Sequence, residues 1–418
     1  MPLPTISSGN VASALPSGYD IPYSCCFNDD DSPKLTRTNS SDGNLTNWTF
    51  SIWVKRCKLG STMRLLHCQN SGGSREASIY FSGGNALEFY ATDGSNVDQL
   101  GTNRKFRDIS SFYHIVVTWD SDNSTAGNRM RFWVNGVEET SFANDNNPAL
   151  NQESQMSKGT EASTIGLGYK SVGNTDYFDG YMAEACFIDG QALDASSFGE
   201  YDSDSPRIWK PKDISGLTFG NHGWYLDFAA SGDMGDDESG NGNDFEESDV
   251  GGVDEQSIST PTNIFPVLNS LVNSYSTNVT FSEGNRKATH PGVWGGVPAN
   301  IGVQNGRWYW EVKVTTGNSA NAFTGICAED VDFDDSTVYD ETGLLLYFVD
   351  GRKTVDGTNS ESFFDSLATN DIVGVHLDLE SGTKQVTFTK NGSTSGSAVN
   401  LTSNHTSKFI FPVSIGNS

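Results

Sequence analysis

Long apolar runs are missing from this 418-residue chain. No segment approaches the roughly 20 consecutive apolar residues that a membrane-spanning helix requires, so membrane insertion is not expected. Basic residues are scarce: 26 Lys and Arg stand against 53 Asp and Glu, a formal net charge of −27. A surface that negative repels phosphate, which argues against a nucleic-acid groove or an anionic-membrane face. The opening MPLPTISSGNVASALPSGYD has neither a basic stretch nor an apolar core, so no secretory leader is predicted. Cysteine is sparse, with 6 residues at positions 25, 26, 57, 68, 186 and 327. Cys25 and Cys26 are adjacent, no CxxC pair occurs, and the spacing fits neither a zinc ribbon nor a disulfide framework. Buried thiols in a chain folded in a reducing cytoplasm are the expectation.

What the chain does have is glycine and aromatics: 44 Gly, 24 Phe, 14 Tyr and 9 Trp, the composition of a turn-rich β protein. Its length predicts two domains. In WTFSIWVKR, Trp48, Phe50, Ile52 and Val54 share one face, and Thr49, Ser51, Trp53 and Lys55 the other. Trp53 therefore lies either on an exposed sheet face or under a loop. FYHIVVTWD and MRFWV read as further strands, and Asn135-Gly136 between alternating runs predicts a hairpin. LDASSFGEY, with Asp194 as N-cap, makes one or two helical turns at most. From residue 229 the composition turns acidic, Gly-rich and poor in apolar residues, which reads as an inter-domain connector over 229–275. Strand patterns then resume: in GRWYWEVKV, Trp308, Trp310, Val312 and Val314 share a face opposite Tyr309, Glu311 and Lys313, and Asn391-Gly392 marks a second hairpin. Eight Asn-x-Ser/Thr sequons, among them Asn44, Asn123 and Asn391, follow from a chain rich in these residues. The expected fold class is all-β, two antiparallel β-sandwiches (jelly rolls) joined by an acidic Gly-rich connector.

The first half, with FNDDDSPKLTRT, WTFSIWVKR, RDISSFYHIVVTWD, RMRFWVNG and DYFDGYMAEACFIDGQAL, resembles laminin-G-like, concanavalin-A-type jelly rolls. It is most similar to the version found in structural proteins of marine bacteriophages. The stretch SSFGEYDSDSPRIWKPKDISGLTFGNHGWYLDFA, followed by DESGNGNDF and STPTNIF, resembles the connector of those proteins. The second half resembles a SPRY domain through GRWYWEVKV, TGICAED, DIVGVHLDLESGTKQVTFTKNG and FIFPVSIG. These motifs predict a laminin-G/concanavalin-A-like sandwich over 1–228 and a SPRY-like sandwich over 276–418. SPRY domains continue past the FPVSIG strand with one more strand. Either the native polypeptide is longer than 418 residues, or that strand comes from elsewhere and leaves an edge open for pairing.

Concanavalin-A-like folds include glycoside hydrolases, whose resemblance would place E-x-D-x-x-E on one strand so that alternate carboxylates share the concave face. The nearest approach, Glu200-Tyr201-Asp202-Ser203-Asp204, falls in an expected loop and lacks the closing Glu, while Glu184 stands alone in its strand. HExxH, GxSxG and Walker motifs are absent, and the histidines at 67, 114, 222, 290, 376 and 405 are scattered, so no catalytic residue is assigned. Asp237, Ser239, Asn241 and Asp244, with Gly242 for the turn, resemble the first half of a calcium loop, although Ser248 holds the place of its bidentate Glu. The alternative reading of the same residues is a structural turn. Asp29-Asp30-Asp31 reads as a solvated turn, with calcium second. No other cofactor is expected.

The SPRY resemblance implies ligand-binding loops at one end of the sandwich, here 289–302, 329–340 and 349–364. Trp294, beside Gly295 and Gly296, is a candidate platform for a sugar ring. Asp332, Asp334 and Asp335 are candidate acceptors for its hydroxyls, with Tyr339 in the same loop. The alternative is that Trp294 packs beneath the loop and the acids are solvated. The resemblances imply a non-enzymatic bacteriophage virion component, a tail fibre or appendage contributing to host attachment, assembled in the bacterial cytoplasm. Its expected partners are other virion proteins, further copies of itself in a homo-oligomer, and a host cell-surface glycan or receptor. A capsid- or tail-decorating protein and a polysaccharide depolymerase are the alternatives.

Overall fold

The period-two segments form antiparallel strands, and among the described residues helix is confined to single turns. The computed structural model describes residues 18–250, 255–272, 279–290, 294–315, 321–334 and 337–416. The chain divides into two units, with the boundary between Phe265 and Pro266.

The first unit contains two eight-stranded sheets. One orders its strands Val137–Glu138, Met130–Val134, Tyr113–Asp120, Asn47–Arg56, Gly180–Asp189, Ser24–Phe27 and Gln256–Ser257, with Trp224–Leu226 also paired to Gly180–Asp189. The other runs Phe142–Asn146, Val97–Thr102, Leu87–Thr92, Glu76–Phe81, Met63–Gln69, Thr164–Leu167, Lys34–Thr38 and Glu246–Ser248. Trp48, Phe50, Ile52 and Val54 enter the core with Leu66, Ile79, Phe89 and Leu100. Each side chain of this size contributes about 1.5–3 kcal/mol by leaving water. Trp48 packs on Phe89 and Trp119, with ring centroids 5.5 and 6.5 Å away. Asn135 and Gly136 both take positive φ (49° and 78°) in the expected hairpin.

The opposite face of the first sheet is buried as well. Ala195, Phe198, Ile214, Phe219 and Tyr225 pack over Val116, Trp133, Cys186 and Ile188, forming a second, smaller core. Thr49, Ser51, Trp53 and Lys55 are all buried, Lys55 with its Nζ donating to the Phe265 carbonyl, so Trp53 lies under covering chain and not on an open face. The expected helical turn is a single 3-10 turn, Ala195–Ser197, capped by the Asp194 side chain.

The acidic segment departs from its reading as a connector. Glu246–Ser248 pairs with Lys34–Thr38, and Gln256–Ser257 pairs with Ser24–Phe27. Met234, Phe245 and Val250 enter the main core. Three apolar anchors, with the buried Asp237, Ser257, Ser259 and Thr260, seat a segment that is otherwise mostly polar. Residues 229–265 thus belong to the first unit, and that unit ends well beyond residue 228.

In the second unit a six-stranded sheet orders Gly295–Pro298, Ile410–Gly416, Ala322–Ala328, Leu344–Phe348, Lys353–Val355 and Thr358–Ser360. A four-stranded sheet orders Arg307–Lys313, Ile372–Asp378, Gln385–Lys390 and Ser393–Asn400. Trp308, Trp310, Val375, Leu377 and Phe388 pack with Ile326, Leu345 and Tyr347 in one core. Across the six-stranded sheet, Phe323, Leu346 and Phe411 form another with Val331, Phe333 and Val338. All six cysteine side chains are buried and no disulfide links them. Among the described residues no helix is long and apolar enough to cross a membrane.

Candidate functional site

The covering layer of the first unit builds a cleft of about 520 Å³, lined by Trp133, Gly136, Asp194, Glu200, Tyr201 and Trp209 among others. Behind the Trp209 wall of this cleft His114 is buried, carried by strand Tyr113–Asp120 on its outer face. Trp53 stacks on the face of this imidazole (centroids 4.5 Å, 24°), and Trp209 lies at its edge, with the ring planes 23° apart and the centroids 6.0 Å away. The Trp209 indole N–H donates to His114 Nδ1 at 2.9 Å, which leaves Nε2–H to donate to Ser51 Oγ, also at 2.9 Å. Burial alone pushes the His114 pKa down to about 3, so the ring stays neutral and the stack carries no charge.

Two glycines let Trp209 approach the sheet. A Cβ at Gly136 would lie 2.3 Å from the indole, and one at Gly199 would lie 2.6 Å from it. Gly136 is doubly constrained, since the hairpin also demands its positive φ. Tyr201 pairs directly with Trp209 across the short ladder of Gly199–Tyr201 and Trp209–Pro211. Its ring meets the indole edge-on (5.0 Å, 73°) and is 46% exposed. At the other wall the Arg131 guanidinium lies 4.6 Å over Trp133, held by a two-pronged ion pair with Glu138 at 2.6 Å per contact.

The carboxylates at the rim already have structural duties. Asp194 Oδ1 accepts from Ser196 N (2.9 Å) and Ser196 Oγ (2.6 Å), and Glu200 pairs with Lys210 at 3.4 Å. The cleft therefore offers rigid aromatic surface edged by polar groups, the combination that binds a sugar ring or a planar side chain. Sequence periodicity missed it because Trp133 and Trp209 come from segments far apart in the chain. The available signals were the Asn135-Gly136 turn and the aromatic pair Tyr201 and Trp209 around SDSPRI.

The residues expected to bind ligand in the second unit are brought together in part. Trp294 is half-buried, stacked on Phe323 (5.2 Å, 14°) and packed against Tyr339 (4.4 Å, 42°), so its ring faces neighbouring aromatics. Asp332 and Asp334 are exposed, and Asp332 Oδ1 accepts from Asp334 N at 2.9 Å in a local turn. Phe333 between them is buried against Gly296. Asp335 lies outside the described residues.

The calcium-like loop folds as a hydrogen-bonded turn. Asp237 Oδ1 accepts from Tyr225 N (2.8 Å) and Ser239 N (2.9 Å), and Oδ2 from Ser239 Oγ and Asn243 N (both 2.8 Å). Asp244 Oδ1 accepts from Asp237 N at 3.1 Å, and the Asn241 amide donates to Gly220 and Gly223 carbonyls. These oxygens face N–H and O–H donors, so the four residues do not converge on a cation. Among the described residues no group of three or more His, Cys, Asp or Glu is placed to hold a metal.

Two titratable clusters are assembled only by the fold, around His67 and Glu184. His67 Nδ1 lies 2.7 Å from Ser171 Oγ, and Nε2 lies 3.2 Å from Glu76 Oε1, the connectivity of a nucleophile relay. Ser171 Oγ, however, donates to the Thr164 carbonyl at 3.0 Å, and its N–H donates to Nδ1 at 3.1 Å, so the cluster pins a loop onto the sheet. Glu184 is 3% exposed at a bulge in Gly180–Asp189, with φ of +48°. Burial raises its pKa to about 8, against hydrogen bonds from Tyr19 and Tyr225 that act the other way.

Comparison with known proteins agrees with this architecture. Residues 29–196 match the family model described as the Concanavalin A-like lectin/glucanases superfamily, and residues 307–416 match that of the SPRY domain. A curated relative, the Set1 complex component ash2 of Schizosaccharomyces pombe, is 30% identical over 84 residues, covering 19% of this chain and 13% of its own length. Among solved structures, mouse laminin alpha1 domains LG4-5 are 12% identical with a TM-score of 0.35, covering 97% of this chain and 84% of theirs. The SPRY domain of human HERC1 is 21% identical with a TM-score of 0.25, over 31% of this chain and 77% of its own. A Ruminococcus gnavus IT-sialidase CBM40 bound to alpha2,3 sialyllactose is 16% identical with a TM-score of 0.27, over 35% of this chain and 84% of its own. The chain thus carries a laminin-G-like, concanavalin-A-type domain followed by a SPRY domain.

Proposed function

We propose that the chain is a non-catalytic attachment protein, a structural component of a bacteriophage virion appendage such as a tail fibre, which contacts a host-surface glycan through its first domain. The observation that carries this reading is the aromatic cleft at Trp133, Tyr201 and Trp209. Trp209 is fixed by its hydrogen bond to His114 and admitted by two glycines, Tyr201 packs edge-on against it, and the rim carboxylates are spent on structure. A rigid aromatic surface binds with little conformational cost, which suits recognition more than turnover. Domains of both matched kinds serve as carbohydrate- and protein-binding modules, in keeping with this role. The virion assignment rests on the resemblance of the N-terminal motif and of the motifs within 196–265 to marine phage structural proteins. Other virion proteins, sister copies of the chain and the host receptor are its proposed partners, and the virion its proposed location.

Two measurements test the proposal. Cryo-EM of the particle carrying the chain is expected to show the Tyr201 cleft facing solvent on an appendage; absence from particles, or burial of the cleft against another virion protein, overturns it. Glycan-array binding by the full chain is expected to weaken at least about tenfold in Tyr201→Ala, the loss of about 1.4 kcal/mol of ring contact. Unchanged binding removes the cleft from the function.

A further inference from the structure

The outer face of the four-stranded sheet in the second unit stands apart from the other outer faces described above. Chain covers the six-stranded sheet through Val331, Phe333 and Val338, but among the described residues nothing comparable lies over the strands from Arg307 to Asn400. Register arranges that open face as a grid. Arg307, Asp378 and Gln385 form one row across three strands, Tyr309, His376 and Thr387 the next, and Glu311, Gly374 and Thr389 a third.

Tyr309 leans toward the third row, where its hydroxyl donates to Glu311 Oε1 at 2.6 Å. Gly374 is what allows this, since a Cβ there would lie 2.9 Å from Tyr309 Oη and 3.0 Å from Cε2. The ring therefore lies down over the glycine, 53% exposed, with the His376 ring beside it (centroids 4.5 Å, 42°). Leaning away, it opens a groove of about 340 Å³ between the Tyr309–His376 row and the row of Arg307, Asp378 and Gln385.

We propose that this groove is a second glycan site, taking neutral hexopyranose units within a polysaccharide chain. An exposed ring that lies along the sheet presents its face to the C–H surface of a pyranose, while the guanidinium, amide, hydroxyl and carboxylate opposite reach its hydroxyls. Asp378 is held in place in the groove wall, its oxygens accepting from Glu380 N, Ser381 N and Ser381 Oγ at 2.9, 2.9 and 2.6 Å. The Arg307 charge is already met by Asp378 at 3.3 Å and Glu380 at 3.9 Å, and the whole chain carries −27. An anionic sugar finds no unmatched positive charge here, whereas a neutral one pays no electrostatic penalty. Arg307–Lys313 is an edge strand, so a long polysaccharide enters from the side without presenting a chain end.

This site shares no residue with the cleft of the first domain, and it rests on the attachment reading only for the source of its ligand. The test uses the full chain on an array of neutral gluco-, manno-, galacto- and N-acetylhexosamine oligosaccharides beside uronate- and sialate-terminated ones. The Tyr201→Ala chain is expected to keep binding at least one neutral class. Adding Tyr309→Ala to it weakens that binding about tenfold or more, Gln385→Ala weakens it severalfold, and Lys313→Ala, outside the groove, leaves it unchanged. Tyr309 and Gln385 contribute no side chain to either core, and circular dichroism verifies that each variant stays folded. If Tyr201→Ala alone abolishes all binding, the first-domain reading stands and the groove proposal falls. Residual binding that is restricted to acidic glycans, or that survives Tyr309→Ala, also overturns it. Absence of binding by every variant and by the unmodified chain overturns both.

Discussion

Replacing Glu184 with glutamine tests how this fold tolerates a buried acid. The residue sits where the phase of strand Gly180–Asp189 changes: Met182 enters the core before it, and Ala185 and Phe187 after it. The register against Asn47–Arg56 shifts between Ala183 and Cys186, and Glu184 takes up the slack at φ +48°, a conformation that ordinarily favours glycine. The bulge turns an acid that strict alternation would direct into the core toward Tyr225, whose hydroxyl lies 3.3 Å from its carboxylate. Burial raises the carboxyl pKa from 4.5 to about 8; Asp213 and Asp227 add to the rise, and hydrogen bonds from Tyr19 and Tyr225 oppose it. The same acid, together with burial, drives the Tyr225 hydroxyl pKa upward.

The folded chain therefore keeps a proton that the unfolded chain releases between about pH 4.5 and 8, so this group's contribution to stability falls as pH climbs through that window and is flat above it. At about 1.4 kcal/mol per pKa unit, the loss has an upper bound of about 5 kcal/mol. Glutamine keeps the shape and an acceptor for Tyr225 but has no proton to lose. Glu184→Gln and the unmodified protein are expected to be nearly equal in stability at pH 5, with the variant gaining ~3–5 kcal/mol by pH 9. Asp179 and Asp98, whose pKa values burial lifts to about 7 and about 6, add slopes of the same sign to both proteins and cancel in the difference. Because two units unfold, a single global transition is a poor reporter. Hydrogen exchange of the Gly180–Asp189 amides, variant against parent at each pH, localises the effect. A difference that does not change between pH 5 and 9 refutes the reasoning.

Two further substitutions probe the segment that departed from its expected role. Asp237→Ala removes acceptors from three donors of the 237–244 turn and from Tyr225 N, and is expected to cost the first unit about 1–3 kcal/mol, with calcium and chelator leaving the melting temperature of the unmodified protein unmoved; a calcium-dependent rise would reinstate the cation loop. Phe245→Ala is expected to cost about 3–5 kcal/mol in the same unit, and limited proteolysis to leave a first-domain fragment reaching residue 265, whereas a stable fragment ending near residue 228 would contradict the pairing of Glu246–Ser248.

Alternation along a strand says which side chains share a face, and it says so reliably. Trp48, Phe50, Ile52 and Val54 are core residues, and Trp308 and Trp310 point inward while Tyr309 and Glu311 point outward. Turn chemistry was equally legible, because Asn135-Gly136 and Asn391-Gly392 require the positive φ that both pairs adopt. Neither signal says what lies beyond the second face. Trp53 and Lys55 are as buried as their inward neighbours because chain from elsewhere covers that face: His114, stacked on Trp53, packs against Phe198 and Trp209, and Lys55 Nζ donates to the Phe265 carbonyl. In the same way, Met234, Phe245 and Val250 are too few to mark the acidic segment as part of a core, yet they help to seat it.

The same limit explains which sites could be foreseen. Trp294 was noticed because a tryptophan beside two glycines stands out in a loop, but Phe323 and Tyr339, which occupy its ring, come from other segments. Trp209 drew no notice, although it depends on Gly136 and Gly199, two glycines brought to it only by the folded chain. Both proposed surfaces lie on outer sheet faces, where the determining fact is register between strands. Tyr309 illustrates this: its neighbours in sequence place it on the outside, but Gly374, a partner two strand positions away on the adjoining strand, decides that its ring lies flat and that a groove opens beside it. Reading the outward residues of paired strands as rows, once the pairing is known, locates the surface that strand-by-strand periodicity leaves out.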